Sequence, residues 1–217
     1  MQLLELSNIF FGYENNITVL DDLSFNFNKK EKVGICGDTG CGKTTLLYII
    51  MGLLKPDTGK ITVFKEKIVD MSQYSKIRPK IGFMFQNSDD QLFSPTVLDD
   101  IAFGPLNLGK SKEEALNISE ALLNELDIER LKHRITHKLS GGEKKLVALA
   151  TILAMQPNFL LLDEPLAGLD PNIRSKIKSL LKNMALPMIT ISHDHDFLEE
   201  VSQKRYSFSQ GKLVLSV

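Results

Sequence analysis

The sequence predicts an α/β fold: a core with a mainly parallel sheet, an N-terminal antiparallel β region and an inserted helical subdomain. Three observations lead there. The end of the chain alternates short apolar runs with helical stretches, the pattern of strands joined by crossover helices. The first thirty or so residues instead show period-two hydrophobicity, and residues 87–157 are dominated by helical patterns.

Leu4, Leu6, Ile9 and Phe11, then Val19, Leu23, Phe25 and Phe27, alternate on either side of Gly12-Tyr13-Glu14-Asn15-Asn16, so antiparallel strands joined by a turn are expected. Residues 32–37 read as a strand entering a glycine-rich loop, and 43–52 as the helix leaving it. Strands return at 60–64 and 80–86. In 112–126, Ala115, Ile118, Leu122 and Leu126 recur at helical spacing, a stripe expected in subdomain core. A helix should follow Ser140-Gly141-Gly142 and end before Pro157. Strand 158–162, helix 171–184, strand 187–191, helix 194–201 and strands 205–209 and 212–216 complete the chain. The expected division is one domain over 1–217, with 1–86 and 158–217 as core and about 87–157 as the inserted subdomain.

Composition narrows the partners. The 217 residues carry a formal net charge of −1, so no field of one sign argues for nucleic acid or an anionic membrane. No apolar run approaches the roughly 18 to 20 residues of a membrane span. The N-terminus lacks the basic-then-apolar layout of a secretory signal. Cys36 and Cys41 are expected as reduced thiols, because a disulfide would distort the loop between them.

Gly37-Asp38-Thr39-Gly40-Cys41-Gly42-Lys43-Thr44 fits G-x-x-x-x-G-K-[ST] in full, with a strand before it and a helix after it. Glycines let successive N–H groups point inward at anionic oxygens, and the helix adds the positive end of its dipole. Lys43 is expected to reach the β- and γ-phosphates of a nucleoside triphosphate and Thr44 to coordinate Mg²⁺. Thr45 completes the nucleotide-binding run, and the Asp38 carboxylate should face solvent.

Phe159-Leu160-Leu161-Leu162-Asp163-Glu164 is an apolar strand ending in two carboxylates. In open α/β sheets ligands collect at the carboxyl ends of strands, so this strand is expected beside the one feeding the loop, with Asp163 at the metal. Pro165 is expected to force a turn that lets Glu164 orient or deprotonate the attacking water. Ser140 is a good N-cap, and Gly141 and Gly142 should leave the first N–H groups of the next helix approachable, a second anion-binding end. Two phosphate clamps are redundant in one molecule; the second makes sense over nucleotide held by another copy.

The set Gly37 to Thr44, Gln86, Leu139-Ser140-Gly141-Gly142-Glu143, Leu160 to Pro165, Ala167-Gly168-Leu169-Asp170 and His193, in this order, resembles the ATP-binding-cassette ATPases over nearly the whole chain. The resemblance implies that Tyr13 stacks on adenine. It implies that Gln86 reaches the Mg²⁺ or the water, and that His193 holds the γ-phosphate and Glu164 in register. Ser140, Gly141, Gly142, Glu143 and Asp170 would contact the opposite protomer. Leu166 and Leu146 depart from the usual hydroxyl residue and arginine; at Leu146 a lost polar contact and altered dimer strength are expected.

Phe83 to Phe93, the segment Phe103-Gly104-Pro105-Leu106-Asn107-Leu108-Gly109 and Glu143-Lys144-Lys145 are similar to the energy-coupling-factor importers. That implies an ATPase peripheral to the cytoplasmic face of a membrane. It would pair with a homologous or identical second subunit and work with a polytopic transmembrane coupling protein and a substrate-binding membrane component. Cobalt, nickel or a vitamin such as biotin would be the cargo. Many such ATPases carry a C-terminal extension beyond the point where this sequence stops at Val217, so a nucleotide-free monomer is expected. Another transporter ATPase, or a non-transport cassette ATPase, is the alternative. Among eye-catching acids and histidines, Asp194 is expected to cap a helix, and Asp89, Asp90, Asp99 and Asp100 to lie in a solvated loop and a helix start. His133, His137 and His195 are expected at the surface.

Overall fold

The computed structural model describes residues 1–13 and 17–216; Glu14, Asn15 and Asn16 of the expected first turn lie outside them. Strands β1 (Gln2–Tyr13) and β2 (Ile17–Asn28) pair antiparallel, and β4 (Thr58–Val63) and β5 (Glu66–Ile68) extend them into a four-stranded sheet of order β2-β1-β4-β5. Strands β3 (Lys32–Cys36), β6 (Ile81–Met84), β7 (Phe159–Asp163), β8 (Met188–Ile191), β9 (Lys204–Ser209) and β10 (Lys212–Leu215) form a second sheet of order β10-β9-β3-β8-β7-β6. All its pairings are parallel except β10 with β9.

That order corrects one expectation. Strand β7 does not lie beside β3; β8 stands between them, hydrogen-bonded to both. Period-two hydrophobicity cannot order strands that are buried on both faces, because each reads as the same continuous apolar run.

Helix α1 (Lys43–Ile50) follows β3, and the short α2 (Tyr74–Ile77) precedes β6. Helices α3 (Val97–Asn107), α4 (Lys112–Glu125) and α5 (Gly141–Ala154) lie between β6 and β7 in the chain. Helices α6 (Pro171–Asn183) and α7 (His195–Val201) flank β8. Two apolar clusters hold the layers together. On β7, Phe159 and Leu161 join the cluster shared with β1, β2 and α1, while Leu160 and Leu162 join the one shared with α5, α6 and α7. The strand's two-residue period thus serves both cores at once.

In α4 the fully buried residues are Ala115, Ser119 and Leu123, and Ile118 and Leu122 are half-buried at the cluster's margin. Of the expected stripe, Ala115 and Leu126 are fully buried and Ile118 and Leu122 pack against the core, with Ser119 and Leu123 beside them buried as well. Ser119 is tolerated there because its hydroxyl donates to the Ala115 carbonyl at 2.8 Å. Leu146 and Leu166 are both core residues, 1% and 2% exposed. Leu146 therefore offers no surface to a partner; its place in the helix faces apolar packing. Asp99 and Asp100 stand at the start of α3, the expected helix start; Asp100 is 3% exposed there, with Oδ1 accepting the Ser94 N–H at 3.0 Å.

Candidate functional site

The loop after β3 turns into α1 at Gly42, whose φ is +113° and where an added Cβ would lie 2.5 Å from Val19 Cγ1. No side chain caps α1 and no acid occupies its first turn. Lys43 is 8% exposed and folds across the loop, its ammonium donating to the carbonyls of Gly37 at 2.8 Å and Asp38 at 2.7 Å. Asp38, Thr39 and Gly40 are exposed and Cys41 half-buried, its Sγ 3.7 Å from Lys43 Nζ. The Tyr13 hydroxyl lies 3.1 Å from the buried Thr45 hydroxyl, and the Tyr13 ring packs edge-on against Phe11 while remaining half exposed.

Strand β7 delivers Asp163, 2% exposed, to the start of α1, where its Oδ2 accepts the Thr44 hydroxyl at 2.7 Å. Burial pushes the Asp163 carboxyl up from the ordinary aspartate range, against the lowering effect of that bond. The chain then turns at Glu164 itself, with φ +46°, one residue before the proline expected to force it. Segment 192–193, leaving β8, catches the Glu164 carboxylate. Ser192 Oγ donates to Oε2 at 3.2 Å, the His193 N–H to Oε1 at 3.0 Å, and His193 Nδ1 lies 3.0 Å from Oε2. Strand β8, expected in the chain but not between β3 and β7, is therefore what positions the second acid.

The hydroxyl of Thr44 beside the buried carboxylate of Asp163 is a set of hard oxygen donors that suits Mg²⁺, an ion held by few protein ligands together with phosphates and water. Among the described residues no group of three or more His, Cys, Asp or Glu could hold a metal by itself. Asp194 caps α7 through the Phe197 N–H and is paired with Arg174.

The other expected residues make no hydrogen bond to Thr44, Asp163, Glu164 or His193 among the described residues. Gln86 follows β6 with its side chain exposed. Asp170 caps α6, its Oδ1 accepting the N–H groups of Asn172 at 3.0 Å and Ile173 at 3.1 Å. Ser140 caps α5, accepting the Glu143 N–H, and the Glu143 carboxylate returns to the Ser140 N–H at 3.0 Å. The end is thus less bare than the two glycines imply. Gly141 is exposed, but Gly142 is buried, and a Cβ there would press on Ile173 at 3.0 Å, so its smallness serves packing of α5 on α6. No hydrogen bond or ion pair joins 139–143 to 37–45 among the described residues. Lys145, singled out in the sequence only within the importer-like Glu143-Lys144-Lys145 and with no site role, is 4% exposed and donates to the Phe85 and Gln86 carbonyls. Its signal was a charge on the helix face of Leu149 and Ile152, both buried.

Comparison with known proteins places these features. The family described as ABC transporter matches residues 20–167. An uncharacterized ABC transporter ATP-binding protein of Haemophilus influenzae is 46% identical over 188 residues, covering 87% of each chain. The energy-coupling factor transporter ATP-binding protein EcfA of Methanocaldococcus jannaschii is 39% identical over 218 residues, covering 99% of this chain and 78% of that one. Among solved structures, cbiO1 of Clostridium perfringens, part of the ABC transporter complex cbiONQ, superposes with a TM-score of 0.88 at 34% identity, covering 99% and 87% of the two chains. A dimeric ATP-binding cassette in a post-hydrolysis state bound to ADP and Pi superposes at 0.89 with 28% identity, covering 97% and 96%. The fold, the phosphate loop and the long alignments agree: the chain belongs to the ABC transporter family and is one of its ATPases.

Proposed function

We propose that the chain energises a membrane importer of the energy-coupling-factor type by hydrolysing ATP at a site shared between two subunits. The observation that carries the shared site is a separation. Lys43, Thr44, Asp163, Glu164 and His193 converge at the strand ends, whereas exposed Ser140 and Gly141 belong to a helix end with no bond to the chain's own loop.

In this reading the loop 37–45 binds the triphosphate, Lys43 the β- and γ-phosphates, and the Tyr13 ring the adenine. Thr44 and Asp163, with Gln86, would hold Mg²⁺, which would supply positive charge to neutralise the phosphates. Glu164 takes or orients the proton of the attacking water, and His193 keeps that carboxylate and the γ-phosphate in register. Ser140 to Glu143 and Asp170 meet nucleotide or backbone of a second subunit, a copy or a related chain. Residues 87–157 form the subdomain that meets a polytopic coupling protein, itself joined to a substrate-binding membrane component, at the cytoplasmic face. The likeness to EcfA and cbiO1 supports this branch, with cobalt, nickel or a vitamin such as biotin as cargo.

Glu164→Gln separates chemistry from binding. ATP affinity should hold while hydrolysis falls about 10²- to 10⁴-fold, the usual contribution of a general base. Light scattering should then show the variant dimeric with ATP. A variant that stays monomeric at saturating ATP would remove the shared site. Co-purification with membrane partners, and uptake of Co²⁺, Ni²⁺ and biotin, test the importer reading.

A further inference from the structure

Segment 85–91 leaves β6 with only a short 3-10 turn of its own, and its polar ties run to one face of α5. Lys144 Nζ meets Asp89 Oδ1 at 2.5 Å. Gln91 Nε2 donates to the Ala148 carbonyl at 2.8 Å and to Thr151 Oγ1 at 2.9 Å, while its Oε1 accepts the Phe85 N–H at 3.3 Å. Between these, Lys145 Nζ donates to the Phe85 carbonyl at 3.2 Å and the Gln86 carbonyl at 2.6 Å.

Lys144 and Gln91 are partly solvated and replaceable; Lys145 is different. It stands in a run of buried residues, Lys145 to Ala150, where an apolar side chain would pack without desolvating a charge. Burial pushes its ammonium down to about 8, with the carboxylates of Asp163 and Glu164 acting in the opposite sense. Packing alone therefore does not account for a lysine here. Two backbone carbonyls of a loop with little regular structure do, because an ammonium can hold both at once. A cavity of about 190 Å³ adjoins it, lined by Gln86, Gly141, Lys145 and Gly168 among others, so the start of α5 and the Gln86 loop border the same space.

We propose that Lys145 is a positioning residue that rivets the loop carrying Gln86 to the helix beginning at Ser140. Engagement of the α5 end by a second subunit and placement of Gln86 at the nucleotide then become one movement. The inference rests on the roles given above to Gln86 and Ser140, and its test separates the two.

Hydrogen exchange on the full nucleotide-free chain reads the rivet without ATP or metal. In Lys145→Met the amides of 85–91 should exchange about tenfold faster, with α5 unchanged. Steady-state kinetics should show kcat lowered about tenfold with the KM for ATP within twofold, and the same loss in Gln86→Ala. The double variant should fall no further than either single one, because both remove the same placement. Lys145→Gln, which keeps an uncharged NH₂ donor group, should recover part of the protection and rate, and carries the same readouts if the methionine variant does not fold. Unchanged exchange at 85–91, or losses that multiply in the double variant, would overturn the rivet. Were Gln86→Ala to leave kcat intact, the role assigned to Gln86 would fall and the catalytic half of this inference with it. Exchange would still report the tie.

Discussion

Helix α1 begins at Gly42 with no side-chain cap and no acid in its first turn, whereas α5 begins at Ser140 under a complete capping box with the Glu143 carboxylate. Both are helix N-termini beside glycines, yet they differ in what their own chain has left free. At α1 no acid of the helix's own first turn competes for the orphan N–H groups; the Asp163 carboxylate beside it takes the Thr44 hydroxyl instead, and Lys43 adds a cation. At α5 a carboxylate already sits on the helix end, further held by Arg130 at 2.7 Å. The first end is the one left open to bind an anion strongly; in the proposed dimer the exposed Gly141 leaves the second a weaker contact shaped by docking. A glycine-flanked helix start is thus not a phosphate site by composition alone. What the first turn carries decides it.

The largest effect should come from Gly42→Ala. A left-handed alanine costs about 1–2 kcal/mol, and its Cβ would also overlap Val19 at 2.5 Å. Titration with a fluorescent ATP analogue should show affinity reduced about a hundredfold or more, since the loop can no longer close on phosphate. Binding near the parent's would show that the conformation of this end is not what makes it selective.

Gly141→Ala makes the matching change at the other end. Nothing lies within 4 Å of the added Cβ. Stability should hold or rise by up to about 1 kcal/mol, alanine being the better helix former. If a partner's nucleotide approaches there, ATP affinity of the monomer should stay while turnover falls about tenfold, a loss of transition-state stabilisation alone. Unchanged turnover at every protein concentration would leave α5 as an ordinary capped helix.

Ser140→Ala should lower the stability of the free chain by about 1 kcal/mol, the usual value of such a cap, as read by urea denaturation. A third helix end supplies the smallest effect. Asp100, in the first turn of α3, accepts the Phe93 and Ser94 N–H groups through Oδ1, while its buried Oδ2 has no partner. Burial holds its carboxyl above the ordinary aspartate range. A raised acid pKa means that the folded state retains the proton longer, so stability falls as pH rises from the unfolded value through the folded one. Asp100→Asn keeps the accepting oxygen and removes the charge. It should stabilise the protein at neutral pH, and that gain should vanish as the pH falls through the folded pKa and then the unfolded one. A gain independent of pH would show that the charge is not its source.

Contiguous chemistry was legible in the sequence. The loop 37–44 needs glycines, lysine and threonine at fixed spacing between a strand and a helix, and all of these lie within a few residues of one another. The caps at Ser140 and Asp194 were equally local, because a side chain reaching its own helix's N–H groups spans at most three residues. The alternation of strands and helices, and the helical stretch between β6 and β7, followed from hydrophobic period. These determined the fold class and most of the residues proposed to face nucleotide.

Tertiary structure decided what depends on neighbours in space. Strand order placed β8 between β3 and β7, so Glu164 is held by Ser192 and His193, residues 28 and 29 positions away. Lys145 became buried because β6 and its loop pack on α5 at 59 and 60 positions' separation. The face of α4 that became core was set by which helix it met. Period and propensity report how each segment solvates itself, but several packings satisfy the same pattern, and only their mutual burial selects one.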